Sequence, residues 1–315
     1  MIAHLRSKTM AVVASVVTLS LLAASPSPAQ AKSRPEPTDG LVEVTSFGPN
    51  PSGLQMFQYI PQSVHRHPAV VVVLHYCTGS GPAMFSGTRF AALADLHGFI
   101  VVYPSAPREG HCFDVSSPGA LTHNGNSDPV GIVSMVRYVV KRQNGDTRRV
   151  FVTGMSSGAM MTNVLLGDYP DVFRAGSAMM GVPFACFATT DGSMWNSQCA
   201  NGAVDKTPRE WGDLARGAFP GYRGARPRMQ LWHGTLDNIL FYPNFGEEIE
   251  QWTDVLHTSR TPTFTLHPRP NWTHTGYVSR GRVQIDAYSV EGETHNLGFN
   301  VPEWADIAVD FFGLA

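Results

Sequence analysis

The sequence predicts a doubly wound α/β fold: one mostly parallel sheet in a single domain, with helices on both faces. Three observations predict it. Short runs such as Ala69–Leu74 (AVVVVL), Phe99–Tyr103 (FIVVY) and Val150–Thr153 are continuously apolar and β-branched. Strands covered on both faces read this way, and such strands belong to parallel sheets. These runs alternate with segments of helical spacing, Phe85–Leu96, Pro129–Lys141 and Ser157–Leu166, and that alternation builds parallel crossovers. The chain has 315 residues, which after removal of a leader suits one large α/β domain.

The elements follow in order. Residues 1–31 carry the marks of a secretory signal: His4, Arg6 and Lys8, then the apolar run Met10–Ala24, then Ala29-Gln30-Ala31 as a small-x-small cleavage site. The run is shorter than the ~20 residues a spanning helix needs, so the expectation is a secreted, extracellular protein with no membrane attachment after cleavage. Residues 32–40 (KSRPEPTDG) read as a flexible leader, and residues 41–315 as the folded domain. Leu41–Phe47 and Leu54–Ile60 flank Pro-Asn-Pro-Ser-Gly as a hairpin would. Ala175–Val182, Met229–Trp232 and Val283–Tyr288 read as further strands and Trp304–Phe312 as a closing helix. The segment Pro183–Gly224, rich in Gly, Ser, Asn and Trp, breaks the rhythm and reads as an excursion over one end of the sheet. No repeat, Ser/Pro/Thr linker or appended carbohydrate-binding module is legible.

Composition narrows the partners. Lys and Arg number 23 against 25 Asp and Glu; without Arg6 and Lys8 the balance is 21 against 25, a net charge of −4. No basic run or Lys/Arg-rich face is legible, which argues against nucleic acid. The four cysteines, Cys77, Cys112, Cys186 and Cys199, are even in number in a chain predicted to be exported, so disulfides are expected in one of three connectivities. No His sits at zinc-ligand spacing beside them, and no metal or cofactor is expected.

The chemistry centres on Val150–Met161, in which a strand runs into Gly154-Met155-Ser156-Ser157-Gly158 and then into a helix. G-x-S-x-G between strand and helix is the nucleophile elbow of the α/β-hydrolase fold: a strained turn lifts the Ser Oγ above the sheet, and the flanking glycines avoid clashes there. The helix N-terminus behind it favours developing negative charge. A serine hydroxyl needs a base, and in this fold the chain order is Ser, acid, His. Asp237, in Trp232-His233-Gly234-Thr235-Leu236-Asp237, and His295, in Gly292-Glu293-Thr294-His295-Asn296, supply that order, each in a loop after a strand. The competitors are Asp213 and Asp254 for the acid. For the base they are His233, read as structural, and His257, His267 and His274, which lie in a polar region without an acid in order. An oxyanion hole needs two backbone N–H groups. Ser157 is one candidate, and Cys77, with Tyr76 as the alternative, is the other, in Leu74-His75-Tyr76-Cys77-Thr78-Gly79.

Further segments extend the pattern: LHYCTGSG, CFDVSS, LTHNG, VTGMSSGAMMTNVLLGDYPDVF, GVPFACF, WNSQCANG, FPGYRGARPRMQLWHGTLDNILFYPNF and THNLG, in that order. Together they resemble the acetylxylan esterases and feruloyl esterases of carbohydrate esterase family one, across roughly residues 41–315. The resemblance implies a Ser156–Asp237–His295 triad and a polysaccharide ester such as acetylated xylan as partner; the chain is expected to act as a monomer. It implies the pairing Cys77–Cys112, with Cys186–Cys199 bracketing the Trp195 loop. It also makes Trp195 a candidate substrate contact, with Tyr76 beside it. Two positions depart from the family: Met155, where Ser or Leu is common, and Phe113, where Trp is usual beside Cys112 and where the cleft is expected to change. The polyhydroxyalkanoate depolymerases share the triad but lack the SGAMMTN helix start.

Overall fold

In a computed structural model, residues 1–2 and 34–315 are described; the predicted signal segment, apart from its first two residues, and the first two residues of the leader lie outside the described residues. One ten-stranded sheet organises residues 34–315. The strands are β1 (Val42–Val44), β2 (Gln55–Tyr59), β3 (Val70–Leu74), β4 (Ile100–Ser105), β5 (Val150–Met155), β6 (Ala175–Met179), β7 (Arg228–Gly234), β8 (Phe264–Leu266), β9 (Trp272–Ser279) and β10 (Arg282–Val290). Across the sheet they lie in the order β1-β2-β4-β3-β5-β6-β7-β10-β9-β8. From β4 to β10 every neighbouring pair is parallel, and the pairs outside them are antiparallel. This is the predicted doubly wound, mostly parallel sheet.

The helices are α1 (Gly81–Gly87), α2 (Phe90–His97), α3 (Asp128–Arg142), α4 (Ser157–Asp168), α5 (Ser197–Ala200), α6 (Pro208–Gly217), α7 (Pro243–Val255), α8 (Leu297–Asn300) and α9 (Trp304–Phe312). The β-branched runs are apolar throughout because both faces of the sheet are covered. Val70, Val72 and Leu74 pack with residues of α3, α4, α6 and α7, whereas Val71 and Val73 pack with residues of α2 and α9. The helix behind the elbow, α4, is buried at every position, polar Thr162 and Asn163 included.

The structure departs from the sequence reading at four places. Phe85–Leu96 is two helices, α1 and α2, because Thr88 turns extended and its hydroxyl donates to Met84 O at 2.6 Å, ending α1. The excursion contains α5 and α6; α6 opens with Thr207 and Glu210 capping each other and buries Trp211. The helix α7 turns Asn244, Glu248, Gln251 and Thr253 inward, so its buried face is only partly apolar, and β8 is three residues long and β9 is mostly Thr, His, Gly and Ser, so none of the three stands out by periodicity. The fourth departure, an arginine-rich edge, is taken up below.

The helices α4 and α7 meet through a buried polar network. Asn163 Nδ2 donates to Glu248 Oε1 at 2.6 Å and Trp252 Nε1 donates to Asn163 Oδ1 at 2.7 Å. Burial pushes the Glu248 carboxyl up to about 8, against a weaker opposing pull from Asn163. Below pH about 4.5 both folded and unfolded chains hold this proton. As pH rises from there to about 8, only the unfolded chain ionises, so the group erodes stability over that window. Glu248→Gln keeps the acceptor without the charge. It is expected to match the wild type at pH 4 and to exceed it by a few kcal/mol at pH 9, measured by denaturant unfolding at the two pH values. Equal stability at pH 9 would show that Glu248 ionises freely.

Candidate active site

The register of the parallel strands brings the ends of β3, β5, β6, β7 and β10 into line: Leu74 pairs Gly154, Met155 pairs Met179, Met179 pairs Trp232 and Gly234 pairs Val290. Every predicted triad residue follows one of these ends. Ser156 sits between β5 and α4 with φ 54° and ψ −117°, a strained conformation that its backbone bonds hold: Ser156 N donates to Met179 O and Met160 N to Ser156 O, each at 2.9 Å. The flanking glycines are required by space. A Cβ on Gly154 would lie 2.5 Å from the Gly158 carbonyl carbon, and one on Gly158 would lie 2.4 Å from Leu74 O and 2.7 Å from His75 O. These are backbone atoms that cannot swing aside. Gly158→Ala is therefore expected to cost about 1–3 kcal/mol of stability and to lower turnover by displacing the elbow; thermal unfolding and initial rates check both.

The loops bearing Asp237 and His295 are stitched together. Thr235 N donates to Val290 O at 3.0 Å, Leu236 N to Glu293 O at 2.8 Å, and Gly292 N to Thr235 Oγ1 at 3.0 Å. His295 Nδ1–H then donates to Asp237 Oδ2 at 2.7 Å, and its Nε2 accepts from Ser156 Oγ at 2.8 Å. The other carboxylate oxygen of Asp237 accepts from Ile239 N at 2.9 Å and Leu240 N at 3.0 Å. Burial pushes the Asp237 carboxyl up, but the two histidines beside it, His233 and His295, outweigh that and hold it well below the usual carboxylate range. The acid is thus ionised, and it selects the imidazole tautomer whose Nε2 is free to take the Ser156 proton.

His233, read from the sequence as structural, is buried beside this acid. Its Nε2 donates to Leu240 O at 2.7 Å and lies 3.3 Å from Asp237 Oδ2, so it clamps the acid's loop. Its spacing four residues before Asp237 was the available signal. The rival acids are occupied elsewhere: Asp213 and Asp254 both face Arg216 on α6, each at 2.6 Å. His274 does have an acidic partner, Asp286, across the β9–β10 hairpin, and it stacks on Tyr288 at 4.0 Å; that pair belongs to the sheet, away from the triad.

The loop after β3 is held by three kinds of bond. The disulfide Cys77–Cys112 ties it to the loop after β4, and Cys186–Cys199 brackets Trp195, so both pairings agree with the expectation. Thr78 N donates to Gly110 O at 2.8 Å. His75, fully buried, donates from Nδ1 to Tyr76 O at 2.7 Å and accepts at Nε2 from Ala106 N at 3.0 Å. Burial lowers its pKa to about 4, so it acts as a neutral strut. In this loop the N–H groups of Thr78 and Gly79 are taken, by Gly110 O and Tyr76 O. Those of Tyr76 and Cys77 make no hydrogen bond among the described residues, which leaves both of the candidate oxyanion donors available. Phe113 is 1% exposed, packs tilted against His75 at 4.5 Å between centroids, and donates its N–H to Ser157 Oγ at 2.7 Å. The departure from Trp at this position therefore bears on the support beneath the loop rather than on the cleft wall. Tyr76 packs edge-on against Phe299 at 5.3 Å, and Trp195, 47% exposed, packs edge-on against Phe187 at 5.2 Å. Trp195 makes no hydrogen bond to the triad among the described residues.

Comparison with known proteins identifies the family. A family described as "Esterase PHB depolymerase" matches residues 54–200. Feruloyl esterase B of Talaromyces stipitatus is 42% identical over 277 residues, covering 87% of this chain and 76% of that one. Acetylxylan esterase A of Aspergillus oryzae is 44% identical over 240 residues, covering 75% and 78%. The solved acetyl xylan esterase from Aspergillus awamori superposes with a TM-score of 0.83 at 38% identity, over 88% of this chain and 100% of that one. The feruloyl esterase module from Clostridium thermocellum, at 13% identity and a TM-score of 0.55 over 89% and 93%, shares the fold. Elbow, relay, fold and sequence identity converge: the chain belongs to the acetylxylan and feruloyl esterase family, carboxylic ester hydrolases of the α/β-hydrolase fold.

Proposed function

We propose that this chain is a secreted, monomeric esterase that removes O-acetyl groups from xylan or a related plant polysaccharide, with residues 1–31 as signal, 32–40 as leader and 41–315 as catalytic domain. The observation that carries the reading is the unbroken relay from Ser156 through His295 to Asp237, at 2.8 and 2.7 Å, on a G-x-S-x-G elbow. Ser156 Oγ attacks the acyl carbonyl as His295 Nε2 takes its proton. The N–H groups of Ser157 and Cys77 hold the oxyanion. The C–O bond to the sugar breaks, and His295 returns the proton to the departing sugar oxygen. Water, deprotonated by His295, then attacks the acetyl-enzyme and releases acetate and Ser156. Trp195 and Tyr76 are the candidate sugar contacts. The acetyl assignment leans on the likeness to acetylxylan esterases at 43–45% identity.

Feruloyl ester hydrolysis is the second reading, favoured by 42% identity to two feruloyl esterases and by exposed apolar side chains beside the triad, Leu236 and Ile239 around Asp237 and Phe299 near His295. Acetate released from acetylated xylan and ferulate released from methyl ferulate, measured side by side, separate the two. Acetate release with little ferulate supports the proposal. The reverse keeps the relay and makes the chain a feruloyl esterase.

A further inference from the structure

We propose that the sheet edge opposite Ser156 is a second binding site, an arginine-lined groove that holds the carboxylates of an acidic polysaccharide chain. Arginines scattered in the sequence converge there because each precedes a strand. Arg148 and Arg149 come just before β5, Arg174 just before β6, Arg226 and Arg228 at the start of β7, and Arg282 at the start of β10. The neighbour order β5-β6-β7-β10 sets them side by side, where they line one cavity of about 400 Å³ with no Lys, Asp or Glu in its wall. The sequence alone showed no such face; the strand order makes it.

The groove has the properties of a site for an extended anion. Among the described residues, Arg149, Arg174, Arg226, Arg228 and Arg282 have no carboxylate within ion-pair distance, and Arg148 alone has one, Asp146. The nearby Asp286 is already engaged by His274 and Gln230. Arg228 forms the floor, donating to Phe311 O and Val283 O and lying 4.2 Å over the Phe311 ring. Burial lowers the pKa of Arg226, and that of Arg228 to about 10, with Arg282 adding repulsion at Arg228. Like charges so crowded and so partly dried are stabilised by an anion, and the planar guanidinium fork matches a carboxylate through two bonds. The cavity shares Ala225, Arg226 and Gln284 with a neighbour of about 850 Å³ to which Arg223 and Arg280 contribute, so the charged track is long enough for a polymer rather than a single ion. Phe151, Phe173 and Phe312 in its floor are buried, and Tyr222 in the neighbouring cavity packs against Phe219 with the Arg226 guanidinium 5.6 Å from its ring centroid. The rings lining the first cavity are thus closed to stacking nucleobases. A six-residue strand of about 20 Å separates this edge from Ser156, so both ends can be occupied at once. The choice of a polysaccharide rests on the function proposed above.

The test titrates the full chain, wild type and Arg149→Ala/Arg174→Ala/Arg282→Ala, with polygalacturonate at low ionic strength, beside neutral dextran and a DNA duplex. The expected result is polygalacturonate binding that weakens with salt, falls about tenfold or more in the triple variant, and exceeds binding to dextran and to DNA. Hydrolysis of p-nitrophenyl acetate by the triple variant should be unchanged, which reports both its fold and the esterase function separately from the groove. Absent polygalacturonate binding, or binding equal in wild type and variant, would overturn the proposal. Tighter binding to the duplex would also overturn it and assign the edge to nucleic acid.

Discussion

Ser156→Ala is expected to lower ester hydrolysis by about 10⁵-fold or more while leaving fold and polysaccharide binding intact. The hydroxyl is the only group lost. The backbone bonds that hold the elbow run from Ser156 N to Met179 O and from Met160 N to Ser156 O, and alanine keeps both. Its Cβ occupies the same place at the same positive φ, so the strain at this turn is unchanged. What disappears is the acceptor of the acyl group, and water held near His295 is a poor substitute. Initial rates on a soluble acetate ester, with circular dichroism as the fold control, read the effect. Turnover within tenfold of the wild type would remove Ser156 as nucleophile.

The second large effect is expected at Asp237. Asp237→Asn should lower kcat by about 10³–10⁴-fold with little change in substrate affinity. The carboxylate accepts on both sides: from Ile239 and Leu240 N–H at one oxygen and from His295 Nδ1–H at the other. An amide has one oxygen and one NH₂, so one of the two sides must meet a donor with a donor. If the oxygen stays with the backbone N–H groups, the NH₂ faces His295, forces the other tautomer, and puts a proton on Nε2 where the base must be vacant. If the amide turns round, the loop loses two buried hydrogen bonds. Steady-state kinetics on a soluble ester distinguish this from a binding defect; a drop confined to substrate affinity would show that Asp237 shapes the cleft instead of the base.

The parts of the molecule legible in the sequence are those governed by neighbours in the chain. The elbow is one: the G-x-S-x-G turn is a local pattern of five residues, although the room Gly158 needs is set by Leu74 and His75 on β3 and the loop after it, and the β-branched runs of β3, β4 and β5 announce burial by themselves. Asp237 and His295 were readable because in this fold chemistry follows strand ends in a set order. The illegible parts depend on partners far along the chain. His75 is a strut because Ala106 lies next to it, 31 residues on. His233 matters because Leu240 folds back over it. Phe113 looked like a cleft residue by its place beside Cys112, yet packing under His75 decides its role. The break between α1 and α2 turns on one side-chain cap, and β9 gains its place from pairing with β10, and β8 from pairing with β9, rather than from a pattern of their own. The arginine edge is the extreme case, since its members are spread along the chain from Arg148 to Arg282 and meet only through strand order.

The most direct test of the central claim, that acyl transfer runs through Ser156, is covalent trapping. The chain is treated with an alkyl fluorophosphonate and its intact mass and peptide map are measured, wild type beside Ser156→Ala and Asp237→Asn. The predicted result is one phosphonyl group per wild-type chain, on the peptide containing Ser156, with parallel loss of esterase activity. The same account predicts no adduct in Ser156→Ala and a much slower one in Asp237→Asn. A stoichiometric adduct on any other residue, or full esterase activity in chains labelled at Ser156, would contradict it.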